Sequence, residues 1–125
     1  MAKRRRRGTT LIEVMVVIAI IGLMTGMVAV YAMARYEDSR LATAKTELRT
    51  IESALDMYRL AKGRLPDPSA GLKPLLEGRY LKMPTVDPWG QPFAYTLQNG
   101  EPVITSAGPD RVSGTPDDLS SATLD

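Results

Sequence analysis

Between positions 11 and 34 the chain carries one charged side chain, Glu13, in 24 otherwise uncharged and mostly apolar residues. As a helix that stretch is about 36 Å long, more than the roughly 30 Å of a bilayer's hydrocarbon core. Gly22, Thr25 and Gly26 fall inside it; small residues weaken a helix in water but allow close helix packing in a membrane. Ahead of it stand Lys3, Arg4, Arg5, Arg6 and Arg7 with no acid among them. Basic residues beside an apolar span stay on the cytoplasmic side. The sequence therefore predicts a single-pass helix, leader inside and the remainder outside, and this topological use of the arginines is preferred to nucleic-acid binding.

Three routes lead from such a start. One is an uncut signal anchor. Another is a secretory signal cut at the Ala-Met-Ala of 32–34, although the apolar stretch 14–30 exceeds the usual h-region of about 7–15 residues. The third, a twin-arginine signal, has only the paired arginines behind it. None accounts for Glu13. An acid at mid-membrane costs about 2.5–3.5 kcal/mol, and a helix N-terminus offsets only part of that. A cut after Gly8 gives the acid a purpose: Thr9 then carries a new ammonium, Glu13 becomes the fifth residue, and the two charges on neighbouring chains can pair and fix axial register.

Five of the 16 cations lie in residues 1–8, which leaves 11 cations against 14 acids in the rest. The sequence pI near 9.0 thus describes the leader, not the body. The chain has no cysteine and no histidine. Disulfide staples are absent, as are Ser-His-Asp and Cys-His catalysis and the commonest zinc ligand. No convincing pair of acid–base groups replaces them, and the expectation is a protein that is not an enzyme.

At Gly8-Thr9-Thr10-Leu11-Ile12-Glu13-Val14 the chain resembles the type IV pilin-like family. The resemblance implies cleavage after Gly8 by an inner-membrane prepilin peptidase, N-methylation of Thr9, and a role for Glu13 in assembling subunits into a helical filament.

Beyond Ala34, Leu41, Ala44, Leu48, Ile51, Leu55 and Tyr58 recur at spacings of three and four, with polar residues between them. That is an amphipathic helix with a narrow apolar seam, continuing the apolar one to about residue 61. Lys62 gives a basic last turn and Gly63 a C-cap. All nine prolines follow Gly63. The expected segments are a leader, 1–8; an apolar assembly helix, 9–34; an amphipathic half, 35–63; and a small globular part, 64–125. The globular part reads as a short helix over 69–77 capped by Ser69, with Leu72, Leu75, Leu76 and Leu81 covering the long helix. Trp89 in Asp-Pro-Trp-Gly is a core plug. Phe93, Tyr95 and Leu97 alternate with small or polar residues, and Asn99-Gly100 turns the chain back through Val103, Ile104 and Thr105 as a β-hairpin. The fold class is α+β: a long helix packed on a small domain with a short helix and an antiparallel hairpin.

Residues 106–120 hold few apolar side chains but include Asp110, Asp117 and Asp118. Composition alone allows a solvated loop or a calcium loop built from carboxylates and backbone carbonyls. Here the resemblance extends, through Gly-Arg-Leu-Pro, Tyr-Leu-Lys, Asp-Pro-Trp-Gly and the final aspartates, to the G-type pseudopilins of type II secretion. It implies one Ca²⁺ held by Asp110, Asp117 and Asp118 with the carbonyls of Ala107 and Thr115. It also implies a homopolymeric periplasmic filament, anchored in the bacterial inner membrane during assembly, with minor pseudopilins and the inner-membrane secretion platform as partners and no nucleic acid. Alternatives are a type IV pilin or minor pseudopilin for adhesion, motility or DNA uptake, and an anchored or secreted calcium-binding domain that never polymerises.

Overall fold

The long helix begins where the apolar run does. In the computed structural model, which describes residues 8–124, α1 spans Leu11–Lys62, close to the expected bounds. The chain divides into two compact units at the Tyr36–Glu37 link, so each is described by itself.

The first unit carries the apolar helix. Its 18-residue window of highest hydropathy averages 2.5, with none of it buried. Leu11, Ile18, Leu23, Met27 and Val30 are all well exposed. A helix apolar on every side has no solvent-facing stripe and suits a lipid surroundings. Thr25 does not interrupt it, because its hydroxyl donates to the Ile21 carbonyl at 2.7 Å and so hides its polarity against the backbone.

From Glu37 onward the amphipathic seam decides the packing. Ala44, Leu48, Ile51, Ala54 and Leu55 are buried; Leu41 and Tyr58 lie half-buried at its ends. Gly63 stops α1 in the left-handed region, at φ 72°, with its N–H donating to the Arg59 carbonyl at 2.8 Å. A residue without Cβ takes that conformation without strain.

Residues 69–77 do not form one helix. A 3₁₀ turn, Pro68–Ala70, is capped by Asp67, whose carboxylate accepts from the Ser69 N–H at 2.8 Å and the Ser69 hydroxyl at 2.5 Å. The short α2, Lys73–Glu77, follows without a side-chain cap. Ser69 is thus a donor to the cap and not the cap itself. Asp67 sits two residues earlier with an oxygen that only accepts, and Pro68 occupies the first-turn position where a missing N–H costs nothing. Leu72, Leu75 and Leu81 join the core as expected, whereas Leu76 is 38% exposed because α2 presents one face inward.

The hairpin forms as the sequence dictates. β1 (Ala94–Gln98) pairs antiparallel with β2 (Glu101–Ser106), and Tyr95 faces Ile104. Asn99 and Gly100 both have positive φ, 53° and 85°, the two-residue turn that matches strand twist. Two residues from the acidic tail, β3 (Leu119–Ser120), extend the sheet in the order β1-β2-β3. The core gathers Leu48, Ile51, Leu55, Leu75, Phe93, Tyr95 and Ile104 between α1 and the sheet. The Tyr95 hydroxyl is buried there and donates to the Pro66 carbonyl at 3.0 Å; burial raises its pKa above 10.0.

Candidate functional site

Two groups of residues carry the sequence's functional expectations. The first is the foot of α1. Gly8 and Thr9 are exposed and precede the helix; Lys3 and the four arginines lie outside the described residues. Thr10 is the helix N-cap. Its hydroxyl accepts from the Glu13 N–H at 3.3 Å, and the Glu13 carboxylate accepts from the Thr10 N–H at 3.1 Å. This is a reciprocal capping box, in which two N–H groups that the helix cannot satisfy are satisfied by each other's side chains. The acid therefore folds back on its own backbone at the start of an exposed apolar helix. Thr10 was not singled out by sequence, although Thr-x-x-Glu ahead of an apolar run is the signature of such a box.

The second group is the loop from Ala107 to Asp118. The structure brings its three aspartates into one hydrogen-bonded turn. The Asp110 N–H donates to the Asp117 carboxylate at 3.1 Å, and the Val112 N–H donates to Asp110 at 2.8 Å. The Gly114 N–H donates to Asp118 at 2.7 Å. The Thr115 hydroxyl lies 2.5 Å from Asp117 and 3.4 Å from Asp118, so these two carboxylates converge on one donor. That hydroxyl holds the Asp117 carboxyl below its usual range. The Thr115 carbonyl accepts from the Asp118 N–H at 3.2 Å, and Ala107 is buried. Gly108, at φ 67°, lies so close under Asp117 that a Cβ there would collide with the Asp117 carbonyl. The donors are all oxygen and the glycine leaves a cradle beneath Asp117, a chemistry suited to a hard cation such as Ca²⁺. As the side chains stand, no three Asp, Glu, His or Cys groups gather at metal-binding spacing among the described residues; backbone and hydroxyl donors fill the carboxylates instead.

A third cluster escaped the sequence reading. Asp87 is 4% exposed. It accepts from the Trp89 N–H at 3.1 Å, the Gln91 N–H at 2.8 Å and the Ser106 hydroxyl at 2.6 Å. The Trp-bearing turn is thereby tied to the end of β2. Trp89 is buried as expected, and its indole N–H also donates to Glu37 at 3.1 Å. One oxygen of Glu47, on α1, is buried with no hydrogen-bond partner. Burial, and then the negative charge of Asp87, push the Glu47 carboxyl above 4.5.

The N-terminal end defines a class first. Residues 3–29, a range that includes Gly8, Glu13 and much of the apolar helix, match the prokaryotic N-terminal methylation motif. The family described as type II secretion system (T2SS), protein G matches residues 31–122. The chain belongs to that family. The type II secretion system core protein G of Aeromonas hydrophila is 37% identical over 95% of this chain and 94% of its own length. That of Escherichia coli K12 is 34% identical over 94% and 92%. The crystal structure of the major pseudopilin from the type 2 secretion system of enterohaemorrhagic Escherichia coli superposes with a TM-score of 0.63 at 30% identity, covering 74% of this chain and 94% of that one. The long N-terminal helix and small antiparallel sheet are the pseudopilin fold.

Proposed function

We propose that this chain is the structural, non-catalytic subunit of a type II secretion pseudopilus. It enters the inner membrane as a precursor, leader in the cytoplasm and globular part in the periplasm, and is cut after Gly8 by a prepilin peptidase. Thr9 becomes the methylated N-terminus. Subunits then join a homopolymeric periplasmic filament together with minor pseudopilins and the inner-membrane assembly platform, with no nucleic acid involved. Growth of the filament pushes folded cargo outward.

The observation that carries this reading is the foot of α1. A carboxylate at the start of a lipid-facing helix needs a counter-charge. The Thr10 N–H gives Glu13 a hydrogen bond but no charge. The ammonium freed at Thr9 supplies one, and on a neighbouring protomer it sets the register between stacked helices. Exposure of Gly8 and Thr9 ahead of the helix leaves the scissile bond open to the peptidase.

Co-expression with a prepilin peptidase and N-terminal sequencing test it. Mature protein beginning at Thr9 is expected. Glu13→Ala is expected to leave the cut intact and to lower sheared filament yield at least about tenfold, the effect of removing roughly 1.4 kcal/mol or more from each contact. Assembled protein that retains its arginines, or normal filaments from Glu13→Ala, would refute the reading.

Within the same proposal, Asp110, Asp117 and Asp118 with the carbonyls of Ala107 and Thr115 hold one Ca²⁺. The ion would supply positive charge to a loop of three acids and tie its two ends, a staple for a domain with no cysteine. Chelator is then expected to lower Tm, and Asp117→Ala to abolish the chelator's effect; identical melting curves with and without chelator would remove the ion from the reading.

A further inference from the structure

Tyr31 lies twenty residues beyond Leu11 on α1, a rise of about 30 Å, which equals the thickness of the hydrocarbon core. It is the first side chain after the foot to combine an apolar body with a polar tip that is not turned back on the helix, since Thr25 bonds to Ile21. One turn further on, the guanidinium of Arg35 sits 5.1 Å from the centre of the Tyr31 ring, and its Nε–H donates to the Tyr31 hydroxyl at 3.1 Å. Cation, ring and hydroxyl form one unit at one level of the helix. Tyr31 is 63% exposed and Tyr36 is 58% exposed, and the second lies well round the helix from the first, so the feature faces outward on more than one side.

We propose that Tyr31 and Arg35, with Tyr36, form a collar that docks among the phospholipid headgroups of the leaflet opposite the arginine leader and fixes how deeply α1 sits. Aromatic rings with polar tips settle at the level between acyl chains and headgroups. A guanidinium matches the phosphate oxygens of a headgroup as a planar fork, and a helical side chain leans toward the N-terminus, which brings Arg35 down over Tyr31. The apolar residues Ala32, Met33 and Ala34 lie between the two. The occupant is lipid because the collar continues an apolar helix whose length below it matches one bilayer. The inference rests on the membrane-span reading above, and the experiment separates the two.

The full chain is reconstituted in vesicles of phosphatidylethanolamine and phosphatidylglycerol carrying acyl chains brominated at graded depths. Tryptophan is introduced as Ile21→Trp or as Val30→Trp, and the parent chain with Trp89 alone is subtracted. Ile21→Trp should be quenched most by the deepest bromines, and Val30→Trp by the shallowest, about 13 Å higher. Adding Tyr31→Leu and Arg35→Leu to Val30→Trp should draw that probe inward by at least about 3 Å, two residue rises. Absence of quenching at both positions refutes the span itself. A central Ile21→Trp with Val30→Trp equally central, or with a depth unmoved by the double leucine change, overturns the collar alone. So does a depth at position 30 that varies with the protein-to-lipid ratio, which would assign the contact to a second helix.

Discussion

Replacing Glu47 by glutamine should stabilise the domain, and only above a certain pH. Its carboxylate has one oxygen buried without a donor and faces the negative charge of Asp87, which is itself satisfied by Trp89, Gln91 and Ser106. A buried acceptor without a partner costs about 1–3 kcal/mol. Glu47 is half-buried, so solvent reduces the penalty to the lower end, about 1 kcal/mol. Because the folded carboxyl is raised above 4.5, the folded state binds its proton more readily than the unfolded chain. Below pH 4.5 both states are protonated and the penalty vanishes; as pH rises through the folded value the proton leaves and stability falls. Glu47→Gln keeps the shape, removes the charge and offers an N–H₂ donor toward Asp87. The expected gain at pH 7.5 is about 1 kcal/mol, a Tm rise of about 4–8 °C for a domain of this size, shrinking toward zero at pH 4. Thermal unfolding of the full chain in detergent, followed by the near-ultraviolet dichroism of its single tryptophan, reads it directly. A destabilised Glu47→Gln at pH 7.5, or a gain that is equally large at pH 4, would show that the unpartnered oxygen is not the source.

Two further substitutions probe the tail. Gly108→Ala should destabilise by about 2–5 kcal/mol, the sum of left-handed strain and a collision with the Asp117 carbonyl, measured by urea unfolding; a loss under 0.5 kcal/mol would mean that the loop gives way freely. Ser121→Ala should cost about 1–3 kcal/mol, because the buried Ile104 N–H donates to the Ser121 hydroxyl at 3.0 Å and would lose that acceptor; rapid hydrogen exchange at Ile104 is the accompanying sign, and retained protection would contradict it.

Much of this architecture is written locally. The apolar run, the seam from Ala44 to Leu55, the Gly63 stop and the Asn99-Gly100 turn each depend on residues within a turn or two of one another. The Thr10–Glu13 box is local as well, two side chains three residues apart. What stayed hidden depends on distant partners. Asp87 meets Ser106 across 19 positions, Trp89 meets Glu37 across 52, and Ser121 meets Ile104 across 17. β3 has only two residues, in a segment whose composition spells loop, and it is a strand solely because β2 offers an edge. Residues 69–77 misled for a different reason: Asp67 outcompetes Ser69 as an acceptor, and the 3₁₀ turn it caps leaves α2 to begin afresh.

Ser121 has a consequence for how the domain is completed. Thr105 pairs with Ser120 and Ser106 with Leu119, so Ile104 is next in register, where the backbone has already left the sheet for the 3₁₀ turn Ser121–Thr123. A hydroxyl takes over as acceptor there. Until residues 119–121 have packed against it, one flank of β2 remains an open edge, able to accept a strand from another molecule. The tail thus acts as a bolt drawn last, and a subunit caught before it closes is the form most exposed to mispairing with its neighbours.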